Sequence, residues 1–227
     1  MQPIRNSGSL LIKVCGMREP ANIAAVAELC PDFLGFIFHR ASPRYAGAVL
    51  RPELLRALPE SVRKIGVFVD ESPATILATL GSFGLDGAQL HGQEPPTQCA
   101  ALRQHGVLVI KSFGVSTAVD WEAVRPYVGL CDYFLFDTHG PAPGGNGTAF
   151  DWEVLRSYPF PTPYLLAGGL SPDNVAAVAA LQLPGLAGVD LNSRFETAPA
   201  CKNLPRLTAA FAVLRETHVS APQPQWA

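Results

Sequence analysis

Eight short runs of β-branched and aromatic residues recur along the chain at a nearly constant spacing, and this repeat limits the folds available. Their starts lie 20 to 31 residues apart. An interval of that length holds one strand, one helix and two loops, which is the βαβ unit. Several runs are apolar throughout instead of alternating, as is typical of parallel strands covered on both faces. The predicted strands cover residues 10–15, 33–38, 64–69, 87–91, 107–113, 133–138, 164–168 and 188–192.

The segments between these runs have helical patterns. Residues 21–30 and 172–182 are rich in alanine and carry an apolar stripe at helical spacing. Ser171 followed by Pro172 predicts the N-cap and the first helical residue of the second segment. The same serine–proline signal recurs at residues 72–73, and residues 203–218 supply a last predicted helix.

A closed (β/α)8 TIM barrel accounts for this repeat better than a doubly wound open sheet does. All eight units are equivalent in the barrel, whereas a doubly wound sheet normally shows a change in composition at its crossover. The 227 residues fall within the size range of a one-domain α/β barrel. We therefore predict a single barrel domain over residues 1–227, with disordered ends at about 1–8 and 220–227.

Charge and cysteine usage exclude several classes of protein. The formal charge of −2 provides no field that would attract nucleic acid or an anionic membrane. No apolar run approaches the roughly 20 residues of a membrane span. The five cysteines are scattered without a CxxC or CxxH pair, so neither a disulfide framework nor a structural zinc site is indicated. With no secretory signal at the start, we expect a cytoplasmic protein whose partner is a small molecule.

Reactive side chains are concentrated where the predicted strands end. In a barrel of this kind, residues at the carboxyl ends of the strands face the active site. The candidates, in chain order, are Cys15, Arg44, His91, Asp137, Gly168, Gly169, Asp190, Asn192 and Ser193. His39, which follows the second strand, is expected at the surface.

Three of the ionisable candidates each have a structural and a catalytic interpretation. Cys15 is either an inert packed thiol or, because Gly16 follows it at a strand end, an exposed thiol that acts as base or nucleophile. Asp137 either caps a turn through Thr138 or lies behind apolar residues and stays protonated as a general acid. Arg44 is either solvated or binds a carboxylate with two hydrogen bonds.

Two glycine-containing segments indicate ligand binding. The pair Gly168-Gly169 lets the backbone approach a ligand, and with the loop after the eighth strand it predicts a phosphate site. A plain tight turn is the alternative. The Gly/Pro-rich segment 136–152 predicts a lid over the site, with disorder as the alternative, and Asp151 is the predicted N-cap of the element that follows.

Eight motifs, in this order, resemble those of the phosphoribosylanthranilate isomerase family of tryptophan biosynthesis. They are KVCGM, GFIFHRASPRY, IGVFVD, GAQLHG, FLFDT, GGNGTAFDW, LLAGGLSPDNV and GVDLNSRFE, and the resemblance covers about 190 residues. It implies a (β/α)8 barrel, monomeric or homodimeric, that needs neither cofactor nor metal. The implied reaction is the Amadori rearrangement of N-(5-phosphoribosyl)anthranilate to 1-(2-carboxyphenylamino)-1-deoxyribulose 5-phosphate.

The resemblance also implies roles for the candidate residues. Cys15 corresponds to the general base and Asp137 to the general acid. Arg44 corresponds to the residue that holds the anthranilate carboxylate, and His91 to a residue that lines the site. The implied phosphate contacts are Gly168, Gly169, Asp190, Asn192 and Ser193.

One departure from the family pattern affects the implied phosphate site. GVDLNSRFE stands where a serine pair and a glycine are usual, so either Asn192 takes over a phosphate contact or backbone amides supply it. Three other readings remain: a pentulose-phosphate epimerase, an indole-glycerol-phosphate synthase and a catalytically silent phosphate-binding barrel. The epimerase usually needs His/Asp metal ligands, for which the sequence offers no clear cluster. The synthase needs a lysine acid at a strand end, for which Lys111 is available.

Overall fold

The computed structural model describes residues 9–138 and 150–216. Eight parallel strands follow one another around a closed barrel, each hydrogen-bonded to the next and the last to the first. This confirms the predicted (β/α)8 fold and all eight predicted strands. The strands are β1 (Leu11–Val14), β2 (Phe33–Ile37), β3 (Arg63–Phe68), β4 (Gly87–Leu90), β5 (Leu108–Val115), β6 (Tyr133–Thr138), β7 (Tyr164–Leu166) and β8 (Leu186–Leu191).

Helices connect the strands on the outside. They are α1 (Pro20–Ala27), α2 (Pro52–Arg56), α3 (Pro73–Phe83), α4 (Pro96–Gln104), α5 (Trp121–Val124), α6 (Val175–Ala180) and α7 (Leu204–Glu216). Short 3-10 helices cover Arg125–Tyr127, Trp152–Ser157 and Ser193–Phe195, and a small hairpin joins β9 (Glu196–Ala198) to β10 (Cys201–Lys202). Two predicted caps are confirmed: Ser72 accepts from the Thr75 N–H at the start of α3, and Asp151 accepts from the Glu153 N–H.

The predicted start of the helix after β7 is wrong. Ser171 does not cap a helix at Pro172, because α6 begins only at Val175. The Asn174 side chain holds the intervening turn: its Oδ1 accepts from the Ser171 N–H at 2.8 Å, and its Nδ2 donates to the Gly169 carbonyl at 2.9 Å. Such side-chain bonds offer the backbone an alternative to the first helical turn.

The core has two parts because side chains on a strand alternate between its two faces. Outward side chains pack between the barrel and the helices. Inward side chains fill the barrel with an apolar plug of Phe33, Ile65, Leu108, Ile110, Tyr133, Leu135, Leu165 and Ala167. The next inward position toward the carboxyl end of each strand then faces the mouth of the barrel. Asp137, two residues after Leu135, is one example.

Some predictions fall on residues outside the described ranges. These are most of the predicted lid, at residues 139–149, and the predicted disordered ends at about 1–8 and 220–227. Across the described parts of the chain, no helix combines the length and apolar character needed to cross a membrane.

Candidate active site

A cavity opens at the carboxyl ends of the strands. Every site residue predicted from the sequence lines this cavity except Arg44. The apolar side chains of Ile37, Val67 and Val69 form part of its wall. The barrel therefore brings together residues that are up to 178 positions apart, from Cys15 to Ser193.

Cys15 lies directly beyond β1, where its backbone N–H donates to the Leu191 carbonyl at 2.9 Å. Of the two interpretations of Cys15, the exposed thiol is wrong, because Cys15 is only 4% accessible, although it lines the cavity. Burial raises the pKa of the thiol, and Lys13 opposes that rise through its charge and a hydrogen bond. A strand-end position places the residue at the cavity but does not decide how far neighbouring strands cover its side chain.

Asp137 near the end of β6 can serve both interpretations made from the sequence. Its Oδ1 accepts from the Thr138 N–H at 2.8 Å, which is the predicted turn contact. Its Oδ2 faces His91 Nε2 at 3.8 Å. Burial, with Asp190 as a second cause, raises the pKa of Asp137 to about 6. A carboxyl with that pKa is available as a proton donor near neutral pH.

His91 is a neutral residue whose ring orientation is fixed from behind. Burial lowers its pKa to about 4. Gln89 Nε2 lies 3.0 Å from His91 Nδ1 and donates to Ser112 Oγ at 3.1 Å. Ser112 Oγ also lies 3.0 Å from Nδ1, so the ring is held from the Nδ1 side and Nε2 is the atom that faces Asp137. Gln89 lines the cavity and is a residue that the sequence reasoning missed.

The glycine pair after β7 lies close to Asp137 and Thr138. Gly168 has φ +78° and Gly169 has φ +67°, which other residues rarely adopt. A Cβ at Gly168 would lie 2.5 Å from the Thr138 backbone nitrogen and 3.0 Å from Asp137 Oδ1. Glycine at position 168 is therefore required both by its backbone conformation and by the end of β6.

The residues at the end of β8 are engaged with other parts of the chain. The Asp190 carboxylate accepts from Lys13 Nζ at 2.9 Å. Asn192 Oδ1 accepts from Lys202 Nζ at 2.8 Å. Ser193 begins the 3-10 helix that follows. The Asn192 backbone carbonyl accepts from the Phe195 N–H at 3.0 Å, so its side-chain NH₂ and backbone N–H are the groups that can bind a ligand.

Arg44 lies at the rim, with its guanidinium bound inside the protein. Nε and Nη2 hold the Glu196 carboxylate at distances of 2.7–3.1 Å. Lys202 Nζ also donates to Glu196, at 2.6 Å, and so joins the same network. The Arg44 side chain packs against Gly16, where an added Cβ would lie 2.6 Å from Arg44 Cδ. Arg44 is thus fixed beside the cavity.

Two further side chains differ from what the sequence suggested. His39 was expected at the surface but lines the cavity and is half-buried. Lys111, the candidate acid of the synthase reading, does not line the cavity. Its ammonium donates to Glu94 and to the carbonyls of Leu90, Gly92 and Ser112. Within the described ranges of the chain, no three His, Cys, Asp or Glu side chains cluster as metal ligands would.

Comparison with known proteins identifies related sequences and structures. A family model described as N-(5'-phosphoribosyl)anthranilate (PRA) isomerase matches residues 12–212. The N-(5'-phosphoribosyl)anthranilate isomerase of Phocaeicola vulgatus is 47% identical over 194 residues, covering 86% of this chain and 92% of that protein. The crystal structure of the Thermotoga maritima phosphoribosyl anthranilate isomerase matches with a TM-score of 0.79 and 32% identity, covering 91% and 99% of the two chains. A phosphoribosyl anthranilate isomerase in complex with reduced 1-(o-carboxyphenylamino)-1-deoxyribulose 5-phosphate matches at 0.75 and 30%, covering 91% and 99%.

Proposed function

This chain belongs to the phosphoribosylanthranilate isomerase family of tryptophan biosynthesis, and we propose that it catalyses the family's reaction with Cys15 as the general base and Asp137 as the general acid. The reaction converts N-(5-phosphoribosyl)anthranilate into 1-(2-carboxyphenylamino)-1-deoxyribulose 5-phosphate. It is an aldose–ketose isomerisation, so product and substrate contain the same atoms. The protein must move one proton on and one proton off the sugar.

Asp137 begins the proposed reaction. Its carboxyl proton passes to the ring oxygen of the ribose as the bond between that oxygen and carbon 1 breaks. The anilino nitrogen supplies the electron pair, and the open chain is a protonated imine. The pKa of about 6 supports this role, because part of the Asp137 population carries a proton near neutral pH. His91 Nε2 faces Asp137 Oδ2 at 3.8 Å, which is beyond hydrogen-bond distance.

Cys15 completes the proposed reaction. Its thiolate removes the proton from carbon 2, and the electrons of that C–H bond flow to the imine nitrogen. The product of this step is an enolamine, which tautomerises to the ketone. One proton has been delivered to the ring oxygen and one taken from carbon 2, so no oxidant or reductant is consumed.

Two anchors would position the sugar between these groups. Arg44 is proposed to bind the anthranilate carboxylate with the donors that Glu196 leaves available. The phosphate is proposed to lie at the other end, at Gly168, Gly169, Asn192 and Ser193. Asp190 belongs to this end by position, although its carboxylate is bound to Lys13. Anchoring both ends of the substrate supplies orientation and binding energy that the central steps can use.

The observation that supports this proposal best is that Cys15, Asp137 and the glycine pair line the same cavity. The environment of Lys111 disfavours the synthase reading, because the lysine is directed to carbonyl groups and Glu94 and not to the cavity. The silent-barrel reading is disfavoured because both proton-transfer groups are in the cavity.

Turnover of freshly prepared phosphoribosylanthranilate, followed by the loss of its fluorescence, tests the proposal. We expect Cys15→Ala and Asp137→Asn to fold normally and to lower kcat by about 10²–10⁴-fold each, the usual contribution of one proton-transfer group. Cys201→Ala is a matched control, since Cys201 is a half-buried cysteine that does not line the cavity. Near-normal turnover by Cys15→Ala would remove Cys15 as the base.

A further inference from the structure

Lys13 is a buried charge inside the barrel that the proposed proton transfers do not use. Its side chain is fully buried, two residues before Cys15 on β1. It is paired across the seam that closes the barrel with Asp190 of β8, and Nζ lies 2.9 Å from Asp190 Oδ2. Such a pair costs desolvation energy, and apolar residues of similar size usually stabilise a core at least as well. Apolar side chains fill the rest of the barrel interior, so stability of the core does not by itself explain why a charged pair is there.

The ammonium of Lys13 lies next to the thiol of Cys15. Both groups border Gly35 of β2: a Cβ at that position would lie 2.8 Å from Cys15 Sγ and 3.1 Å from Lys13 Nζ. The sulfur and the nitrogen are therefore within the roughly 6 Å over which an opposite charge favours an ionised group. The charge of the ammonium lowers the pKa of the thiol. Gly35 leaves the space in which the two groups meet.

We propose that Lys13, held in place by Asp190, is the positioning residue that stabilises the thiolate of Cys15. The inference rests on the proposed function, in which Cys15 takes a proton from the sugar. A thiol that is nearly covered by protein ionises poorly unless a cation is beside it. Asp190 fixes the cation under the sulfur. Once the thiolate has taken up the proton, the Asp190 carboxylate still balances the positive charge of Lys13.

The charges around Cys15 come from three strands, and their signs agree with this role. Burial raises the pKa of Cys15, and Lys13 of β1 is the main group that lowers it. Asp190 of β8 raises it, and Lys202 of β10 lowers it. Lys202 is bound to Glu196 and Asn192, so it is directed to other partners.

The charges of the same pair also act on Asp137 and His91. Asp190 raises the pKa of Asp137, and Lys13 lowers it. Lys13 also lowers the pKa of His91, although burial is the larger cause. Because the cavity contains these other titrating groups, the experiment has to report on the thiol itself and not only on turnover.

The test measures how fast iodoacetamide alkylates Cys15 as a function of pH, with mass spectrometry of the Cys15 peptide to separate it from the other four cysteines. A close opposite charge typically shifts a pKa by about 1–3 units. We therefore expect Lys13→Met to raise the thiol pKa by at least about one unit and to slow alkylation near neutral pH at least about tenfold. We expect Asp190→Asn, which keeps the shape of the side chain, to shift the thiol pKa in the opposite direction.

Lys64→Met is the matched control. Lys64 also pairs with an aspartate, Asp86 at 3.4 Å, but at the amino-terminal end of β3, away from the mouth of the barrel. This variant should leave the thiol titration unchanged. A purely structural role of the Lys13–Asp190 pair would make Lys13→Met and Asp190→Asn act in the same direction. Opposite signs distinguish the electrostatic role.

An unchanged or lower thiol pKa in Lys13→Met overturns the inference. If that variant does not fold, Lys13→Gln replaces it, and a thiol pKa that does not rise overturns the inference. The test of the proposed function uses a different measurement, the turnover of Cys15→Ala. Normal turnover by Cys15→Ala would remove the base while the thiol titrations still showed whether Lys13 supports the thiolate.

Discussion

The roles of Cys15 and Asp137 can be assigned by replacing Asp137 with a residue that does not titrate and measuring how the remaining activity depends on pH. The pKa of Asp137 is raised to about 6, while burial raises that of Cys15 above its ordinary value of 9.0. The proposed acid therefore has the lower pKa of the two, and only a minority of the enzyme holds the thiolate and the carboxylic acid together at any pH. We expect kcat/KM to rise up to about pH 6, where Asp137 titrates, and to stay level until the thiol titrates.

This profile alone does not assign the roles. The same curve would arise if Asp137 were the base and Cys15 the acid, because each pairing requires one group protonated and the other ionised. Asp137→Asn separates the two cases. The amide has no titration in this range and can still accept the Thr138 N–H bond through Oδ1, so the turn should be kept.

The residual activity of Asp137→Asn should follow the ionisation of Cys15. If Cys15 is the base, kcat/KM should rise about tenfold per pH unit, hence about a thousandfold between pH 6 and pH 9. If Cys15 were the acid, the residual rate would be level over that interval and would fall as the thiol ionised.

The measurement is the loss of substrate fluorescence at substrate concentrations well below KM, on freshly prepared phosphoribosylanthranilate. Asp120→Asn serves as the control, since Asp120 caps α5 outside the cavity and asparagine caps equally well. It should keep the wild-type profile. A level residual rate between pH 6 and pH 9 in Asp137→Asn would refute the assignment of Cys15 as base.

Two further substitutions test the surroundings of the catalytic groups. Gly35→Ala places a methyl group 2.8 Å from Cys15 Sγ, so we expect kcat to fall at least about tenfold, with an overpacking cost of about 1–3 kcal/mol in thermal unfolding. Gly81→Ala, in α3 with no atom within 4 Å of the new methyl, should leave kcat unchanged, and a normal kcat in both variants would contradict the close contact at Gly35. Arg44→Ala should raise KM about tenfold or more with little change in kcat, because it removes the proposed anchor of the substrate carboxylate. The fold should survive, because Glu196 keeps Lys202 as a partner. An unchanged KM in steady-state assays would count against carboxylate binding by Arg44.

Much of the fold could be predicted because the strands are continuous apolar runs at a regular spacing. A parallel barrel covers both faces of each strand, and this burial is visible in sequences such as FLGFIF and YFLFDT. The helix boundary after β7 could not be predicted in the same way. Ser171-Pro172 is a helix-start signal, but the Asn174 side chain closes a turn there, and the competition between the two depends on three-dimensional contacts.

The members of the site could be predicted better than their environments. Cys15 follows β1 directly, so the sequence places it at the mouth of the barrel. Its burial depends on the neighbouring strands β2 and β8, and the sequence around Cys15 does not show how closely they pack against it. Gln89 had a signal that was available: it is a polar residue within an apolar run, two positions before His91 and therefore on the same face. Lys13 bears the same relation to Cys15.

Two ion pairs that organise the site connect distant parts of the chain. Lys13 and Asp190 are 177 residues apart, and Arg44 and Glu196 are 152 apart. Only the closure of β1 on β8 brings the first pair together, so an open sheet with the same strands would leave Lys13 without Asp190. Because Lys13 adjoins the thiol, closing the barrel also completes the electrostatic environment of the proposed base. Barrel closure and the proposed proton transfer therefore depend on the same seam, and substitutions there should be judged by thiol titration as well as by unfolding.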